Sequence, residues 1–248
     1  MKIALLADIH SNLEAFEACI DMARARGADR FVFLGDLVGY NADPAAVIER
    51  VRGMMRDEGA LAIKGNHDAA VADEASPNMT EGALRAIEWT RAQVSPDQRQ
   101  FLADLPLTVR NEAMLYVHAS AAAPERWGYV HDGLRAAASL DASDATYVFS
   151  GHVHDPVLYY MGTDRRPQPF LPANGVPIPV GRHRRWLAIV GSCGQPRDGN
   201  PASCFALFDT TLRMLSFHRV PYDAAAAAAK VRKTGLPEEF ARRLETGR

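Results

Sequence analysis

The sequence predicts an α+β molecule built on two β-sheets with helices packed against them. Over the first two-thirds of the 248 residues, short apolar runs alternate with segments of helical periodicity, the pattern of parallel strands joined by crossover helices. From Pro156 onward consecutive strand-like runs replace the alternation, which implies a second, more antiparallel sheet. Five of the apolar runs also end directly in residues of the metal-binding type.

The first strand reads from Met1 to Ala7. Helical spacing through Leu13, Phe16, Ile20 and Ala23 closes at Gly27, and a strand follows over Phe31 to Leu34. Pro44 stands where a first helical turn tolerates proline; Val47, Val51 and Met54 carry that helix to Gly59, before a strand from Leu61 to Ile63. Thr80 to Gln93 and Pro96 to Leu105 read as helices. A hairpin pairs Leu107 to Arg110 with Met114 to Val117 around Asn111-Glu112, and Tyr147 to Phe149 forms the next strand. Later strands are expected at Val157 to Met161, Trp186 to Val190, Cys204 to Phe208 and Leu212 to Arg219. Segment 165–181, Arg165 to Gly181, holds five prolines and reads as an ordered surface loop bordering the active site. Alanine-rich Ala224 to Ala229 and Pro237 to Leu244 read as packing helices at about 222–246. Residues 1–248 are expected to form one domain.

Composition limits the function. The chain holds 28 basic and 30 acidic residues and is 48% hydrophobic, enough for a sizeable core. A net charge of −2 offers no broad basic face to duplex nucleic acid or an anionic membrane. No leader or long apolar span stands out, so a soluble cytoplasmic protein is expected. Cys19, Cys193 and Cys204 lack a paired spacing and read as small core residues. Monomer and homodimer both remain open.

The metal-type residues are Asp8 and His10, Asp36, Asn66 within Gly65-Asn66-His67-Asp68, His118, and His152 and His154 within Gly151-His152-Val153-His154. In open α/β sheets ligands gather outside the C-terminal strand ends, where all of these fall. Oxygen and imidazole donors without thiolate suit Mn²⁺, Fe or Zn²⁺. Seven donors are too many for one ion and fit two, with Asp36 as the natural bridge because it follows the second strand. Such a pair can activate a shared water and hold both oxygens of a phosphoryl displacement.

These motifs, in this order, resemble those of the calcineurin-like metallophosphoesterases, over residues 1 to about 220. Asp8-Ile9-His10-Ser11-Asn12-Leu13 and Gly191 to Gly199 look like the small bacterial branch, associated with phosphodiesterases and diadenosine polyphosphate hydrolases. The resemblance implies a four-layer α/β/β/α sandwich of two mixed sheets flanked by helices, metallo-dependent phosphatase-like. It implies one divalent ion on Asp8, His10, Asp36 and His154 and another on Asp36, Asn66, His118 and His152, with Mn expected first and Fe, Zn, Ni or Co acceptable. His67 would face the substrate as a catalytic residue, assisting the leaving oxygen or stabilising phosphoryl charge; the competing reading is a loop histidine bonded to Asp68. The protein Ser/Thr phosphatases carry an acidic residue and an arginine after the second motif. Gly39-Tyr40 stand there instead, against a phosphoprotein substrate. The family's glycine after the fourth-motif histidine is Ala119, which questions the local loop geometry.

Arg197 is a candidate substrate clamp, against a loop arginine paired to Asp198. Trp89, Thr90, Trp127 and Tyr129 read as packing residues before nucleobase platforms, Cys193 as no nucleophile, Arg182 to Arg185 as a solvated strand entrance, and His131 and His218 as surface or capping groups. The expected reaction is attack of a metal-bridging hydroxide on a small phosphodiester or dinucleoside polyphosphate, free of nucleic acid or membrane partners. The alternatives are a phosphomonoesterase on small metabolites and an inactive binding or scaffold subunit.

Overall fold

The computed structural model describes residues 1–72, 79–162 and 166–248. Its first sheet runs in the order β3 (Leu61–Ala62), β2 (Arg30–Phe33), β1 (Lys2–Leu6), β11 (Ser203–Asp209), β12 (Met214–Val220), β9 (Ile178–Pro179). The second runs β4 (Thr108–Asn111), β5 (Met114–Val117), β6 (Tyr147–Ser150), β10 (Trp186–Ile189), β7 (Val157–Met161), β8 (Pro167–Phe170). Both are mixed: β1 is parallel to β2 and antiparallel to β11, and β10 is parallel to β6 and antiparallel to β7.

The two-residue period of a strand sorts the core into layers. Ala4, Leu6, Phe31 and Phe33 point outward onto α1 (Leu13–Ala25) and α2 (Pro44–Glu58), packing with Phe16, Ile20, Val47 and Val51. The alternate residues Ile3, Leu5 and Val32 point inward and meet Tyr116, Phe149 and Ala188 of the second sheet. On that sheet's far face Val117, Val148 and Leu187 pack on Ala136 and Leu140 of α6 (Gly133–Asp141). The result is the expected α/β/β/α order. α1 starts where the Asn12 side chain accepts the Ala15 amide, α5 (Pro96–Asp104) opens on a Ser95–Gln98 capping box, and α2 ends on left-handed Gly59.

Three expectations are corrected and one helix is added. The late strands do not make a sheet of their own: β11 and β12 complete the first sheet, while β7, β8 and β10 complete the second. A strand as thoroughly buried as β11, with every residue from Ser203 to Phe208 inaccessible, needs neighbours on both edges and both faces, and it finds them beside β1. The Pro-rich segment contains strands β8 and β9; Pro167, Pro169 and Pro179 sit on these short strands at the sheet edges, where a missing N–H is tolerated. Its first residue, Arg165, lies outside the described residues. The helix α6 was not expected, because Gly133-Leu-Arg-Ala-Ala-Ala-Ser-Leu-Asp has only two large apolar residues. Lastly, His218 is buried on β12, stacked on Phe205 at 5.0 Å with Nε2 bonded to the Ser216 hydroxyl at 2.8 Å.

α3 (Asn66–Ala72), α4 (Glu81–Gln93) and α5 stack beside α2, and α7 (Ala224–Lys233) and α8 (Glu238–Thr246) form a hairpin packed on α1 and α4. All three cysteines are buried and free. Among the described residues no helix is long and apolar enough to cross a membrane.

Candidate metal centre

Strands β1, β2, β3, β5 and β6 all end at one end of the sandwich, and each delivers candidate donors: Asp8 and His10, Asp36, Asn66, His118, then His152 and His154. Tight turns aim them. Asp8, His10, Asp36, His152 and His154 all have positive φ, between 47° and 71°, a left-handed geometry rare for residues with a Cβ. The first two turns are laced together by His10 N–H to Asp36 O (2.9 Å) and Ser11 N–H to Leu37 O (2.9 Å). Across the sheets, the His152 amide donates to the Asp8 carboxylate at 3.0 Å. Ala119 is absent from the positive-φ positions, so alanine fits the fourth turn without strain.

The donor atoms converge. The Asp8, His10 and His154 side chains approach one another within 4.8 Å, and so do those of Asp36, His118 and His152. His154 Nε2 lies 3.3 Å from Asp8 Oδ1 and 3.3 Å from His10 Nε2. Asp36 Oδ2 sits between the groups, 3.7 Å from His10 Nε2 and 3.3 Å from His118 Nε2. Asn66 Oδ1 is 3.1 Å from His118 Nε2. All seven residues are buried, with no cationic side chain among them other than the imidazoles.

Each imidazole is oriented by the main chain. Nδ1 of His10 bonds to the Val38 carbonyl (3.1 Å), Nδ1 of His118 to that of Leu34 (2.8 Å), and Nδ1 of His154 to that of Gln195 (2.7 Å). Those bonds fix the tautomer that leaves Nε2 free for a cation. His152 is held by the Trp127 backbone, and its buried Nε2 has no hydrogen-bond partner among the described residues. A buried nitrogen left bare near the Asp36 carboxylate is what a cation site requires. The donor set fits divalent metal ions.

Charge is unevenly shared. Burial pushes the Asp8 carboxyl up to about 7, helped by neighbouring Asp36. Burial also opposes ionisation of Asp36, but His118, His67 and His10 together hold it well below the usual range. His118 has the reverse balance: burial disfavours its cation, yet Asp36 and Asp8 hold it up to about 9. Burial lowers His10 and His154 strongly and His152 to about 3.

His67, in the first turn of α3, sets its amide on Asp36 Oδ1 at 2.8 Å. Its ring packs against Tyr40 (4.5 Å) and His10 (4.8 Å), and Nδ1 is buried without a partner among the described residues. Asp68 does not bond to it: that carboxylate accepts the Gly65, Leu37 and Val38 amides instead. Gly39 must be glycine, because its φ is +94° and a Cβ would stand 2.4 Å from His67 Nδ1. Arg197 pairs with Gln195 Oε1 at 2.9 Å and lies over the Tyr40 ring at 5.5 Å; Asp198 bonds to Arg219.

A cavity of about 390 Å³ opens onto this cluster, with His67, His152, Tyr40, Arg197, Trp127 and Tyr129 in its walls. Tyr129 stacks on His152 at 3.9 Å and is half exposed. Trp89 and Thr90 lie elsewhere, on α4, and Arg185 bonds to the carbonyls at the end of α6. Among the described residues the Pro-rich segment does not reach this cavity. Leu171, Pro172 and Asn174 line another of about 370 Å³ with Asp155 and His218. The loop near Trp127 was expected to shape the leaving-group side, and it does line this cavity. Arg126 within it, Arg135 just beyond it, and Tyr40 as the partner of His67 were missed, because arginines outside any motif and an aromatic after a glycine look like ordinary surface or core.

The fold and this cluster define a class of metal-dependent phosphoesterases. The family model of the calcineurin-like phosphoesterase superfamily domain matches residues 1–213, and the chain belongs to that superfamily. It is 32% identical to an uncharacterized protein of Methanocaldococcus jannaschii over 257 aligned residues, 99% of this chain and 98% of that one. The crystal structure of a metallophosphoesterase from Sphaerobacter thermophilus superposes with a TM-score of 0.87 at 33% identity, covering 100% of this chain and 99% of the other. A hypothetical protein from Pyrococcus horikoshii OT3 shares the fold at 20% identity, with a TM-score of 0.81 and coverage of 100% and 98%. The superfamily implies divalent metals, which the convergent Asp and His groups are suited to bind.

Proposed function

We propose that this chain hydrolyses a small phosphodiester or dinucleoside polyphosphate at a dinuclear centre. One observation carries the reading: imidazole and carboxylate donors from four strand ends, with the Asn66 amide from a fifth, converge around Asp36. Asp8, His10, Asp36 and His154 would hold one ion, and Asp36, Asn66, His118 and His152 the other. Bound there, two divalent cations would supply a water of lowered pKa and stabilise charge at phosphorus. The donors suit Mn²⁺ as the first ion to load, and they also accept Fe, Zn, Ni or Co.

The remaining work falls to the chain itself. His67, with its ring pinned between Tyr40 and His10, donates a hydrogen bond to the phosphoryl or leaving oxygen. Arg197, held by Gln195 and Tyr40, presents its guanidinium to a non-bridging oxygen. Two divalent cations against only two carboxylates would leave the centre net positive, so it would attract an anion although the chain is mildly acidic.

The test is turnover of bis-p-nitrophenyl phosphate against p-nitrophenyl phosphate by the Mn²⁺-loaded protein, with Asp36→Asn as the blank. Faster diester cleavage supports the reading. A monoester preference would replace it with a small-metabolite phosphatase, and no turnover above the blank would leave a binding subunit.

A further inference from the structure

The loop between β5 and α6 carries a charge distribution that the metal centre does not account for. Arg126, at the end of a 3₁₀ turn over Pro124–Arg126, and Arg135, in the first turn of α6, both line the cleft. Arg197 lines it too, with its buried Nε unpartnered among the described residues. No described residue in the wall is a carboxylate, in a chain with 30 acidic and 28 basic residues. The acidic neighbours of the two loop arginines stand off: Glu125 is 3.8 Å from Arg126 and Asp132 is 3.5 Å from Arg135, exposed pairs too loose to occupy either guanidinium.

The loop is anchored. Ser120 N–H bonds to Gly128 O (3.1 Å), Ala121 N–H to the Ser139 hydroxyl of α6 (3.0 Å), and the Asp132 side chain caps α6 through the Arg135 amide (2.8 Å). Trp127, at φ +53°, sets its ring edge-on to His118 at 6.0 Å, so the arginine-bearing turn is tied to the donor cluster itself. At about 390 Å³ the cleft has the volume of a site for a nucleotide-sized ligand rather than a lone phosphate.

We propose that Arg126 and Arg135 form a second anion subsite, for a phosphoryl group that is not cleaved, so that the substrate is a small ester carrying two phosphoryl groups. This rests on the phosphoesterase reading for the cleaved group. Arg197 and the donor cluster take the scissile phosphorus, and the loop arginines take its companion, whether joined through a pyrophosphate link or across a sugar. Guanidinium forks match phosphate oxygens and read charge and geometry together.

The experiment measures, by titration calorimetry on the metal-loaded protein, the affinities of adenosine 5′-monophosphate, adenosine 5′-diphosphate and adenosine 3′,5′-bisphosphate. One doubly phosphorylated ligand should bind about tenfold more tightly than the monophosphate, the scale of one charge-assisted contact. The one preferred tells the two linkages apart. In Arg126→Gln/Arg135→Gln the ratio should fall to within about twofold, and Arg126→Lys/Arg135→Lys should restore part of it. No preference in the parent protein, or the same ratio in the glutamine variant, would overturn the subsite. Turnover of bis-p-nitrophenyl phosphate is scored separately. If turnover is absent while the arginine-dependent ratio persists, hydrolysis fails and the subsite stands.

Discussion

His67 shows how narrowly a single side chain is placed. Tyr40 and His10 flank its ring and Gly39 leaves room for it, so its orientation depends on an atom that glycine lacks. Replacing His67 with Ala should lower kcat by about 10²- to 10⁴-fold, the usual contribution of a positioned proton donor, while metal analysis still finds two ions. Gly39→Ala should displace the same ring, lowering kcat at least about tenfold, again with the metal content kept. If either variant turns over normally, His67 does not face the substrate. The donor residues were legible in the sequence because each stands directly after an apolar run, and strand ends of parallel sheets collect ligands. Tyr40 was not legible. Its value comes from meeting His67, Arg197 and Phe240, residues up to 200 positions away, and local pattern carries none of that.

At the scale of elements, the C-terminal hairpin of α7 and α8 is more than packing. Phe240 meets Tyr40 edge-on at 5.0 Å, and Arg243 reaches Gln195 Oε1 at 3.5 Å, while the Gln195 carbonyl holds His154. These helices lie beyond the portion that the family model covers, yet they buttress the wall of the cleft. Phe240→Ala should cost about 3–5 kcal/mol, as for a fully buried aromatic, read as a lower denaturant midpoint. Its KM for the ester should rise as Tyr40 loosens, and an unaltered KM would confine α8 to a structural part. Most strands and helices were legible from period alone, down to the Ser95-Pro96 start of α5. Sheet membership was not, because β1 pairs with β11 as Lys2 to Asp209, and no window along the chain registers a partner that distant.

For the molecule as a whole, donors from both sheets meet at one end of the sandwich, so bound ions tie the layers together. Removing metal with a chelator should lower Tm by about 5–10 °C, from roughly 2.7 kcal/mol of binding stabilisation at a hundredfold excess over Kd and 2–4 °C per kcal/mol at this size. Mn²⁺ should restore it, and a Tm indifferent to chelator would count against a metal centre. Acid acts elsewhere as well. Burial pushes His218 down to about 4, whereas an unfolded histidine protonates near 6.5. Between those values the unfolded chain binds the extra proton, so His218 contributes a loss of stability as pH falls from about 6.5 towards 4. Denaturant melts of metal-free protein should show a shallower loss over that window for His218→Gln than for the parent.

Five candidate donors sit on left-handed backbone, a conformation that costs each on the order of 1 kcal/mol or more. Together this approaches the whole margin by which a domain is stable. A laboratory screen that rewarded heat resistance alone, in metal-poor medium, would therefore select first against Asp8, His10, Asp36, His152 and His154. Glycine or asparagine at those turns would give sturdier proteins that had lost their chemistry.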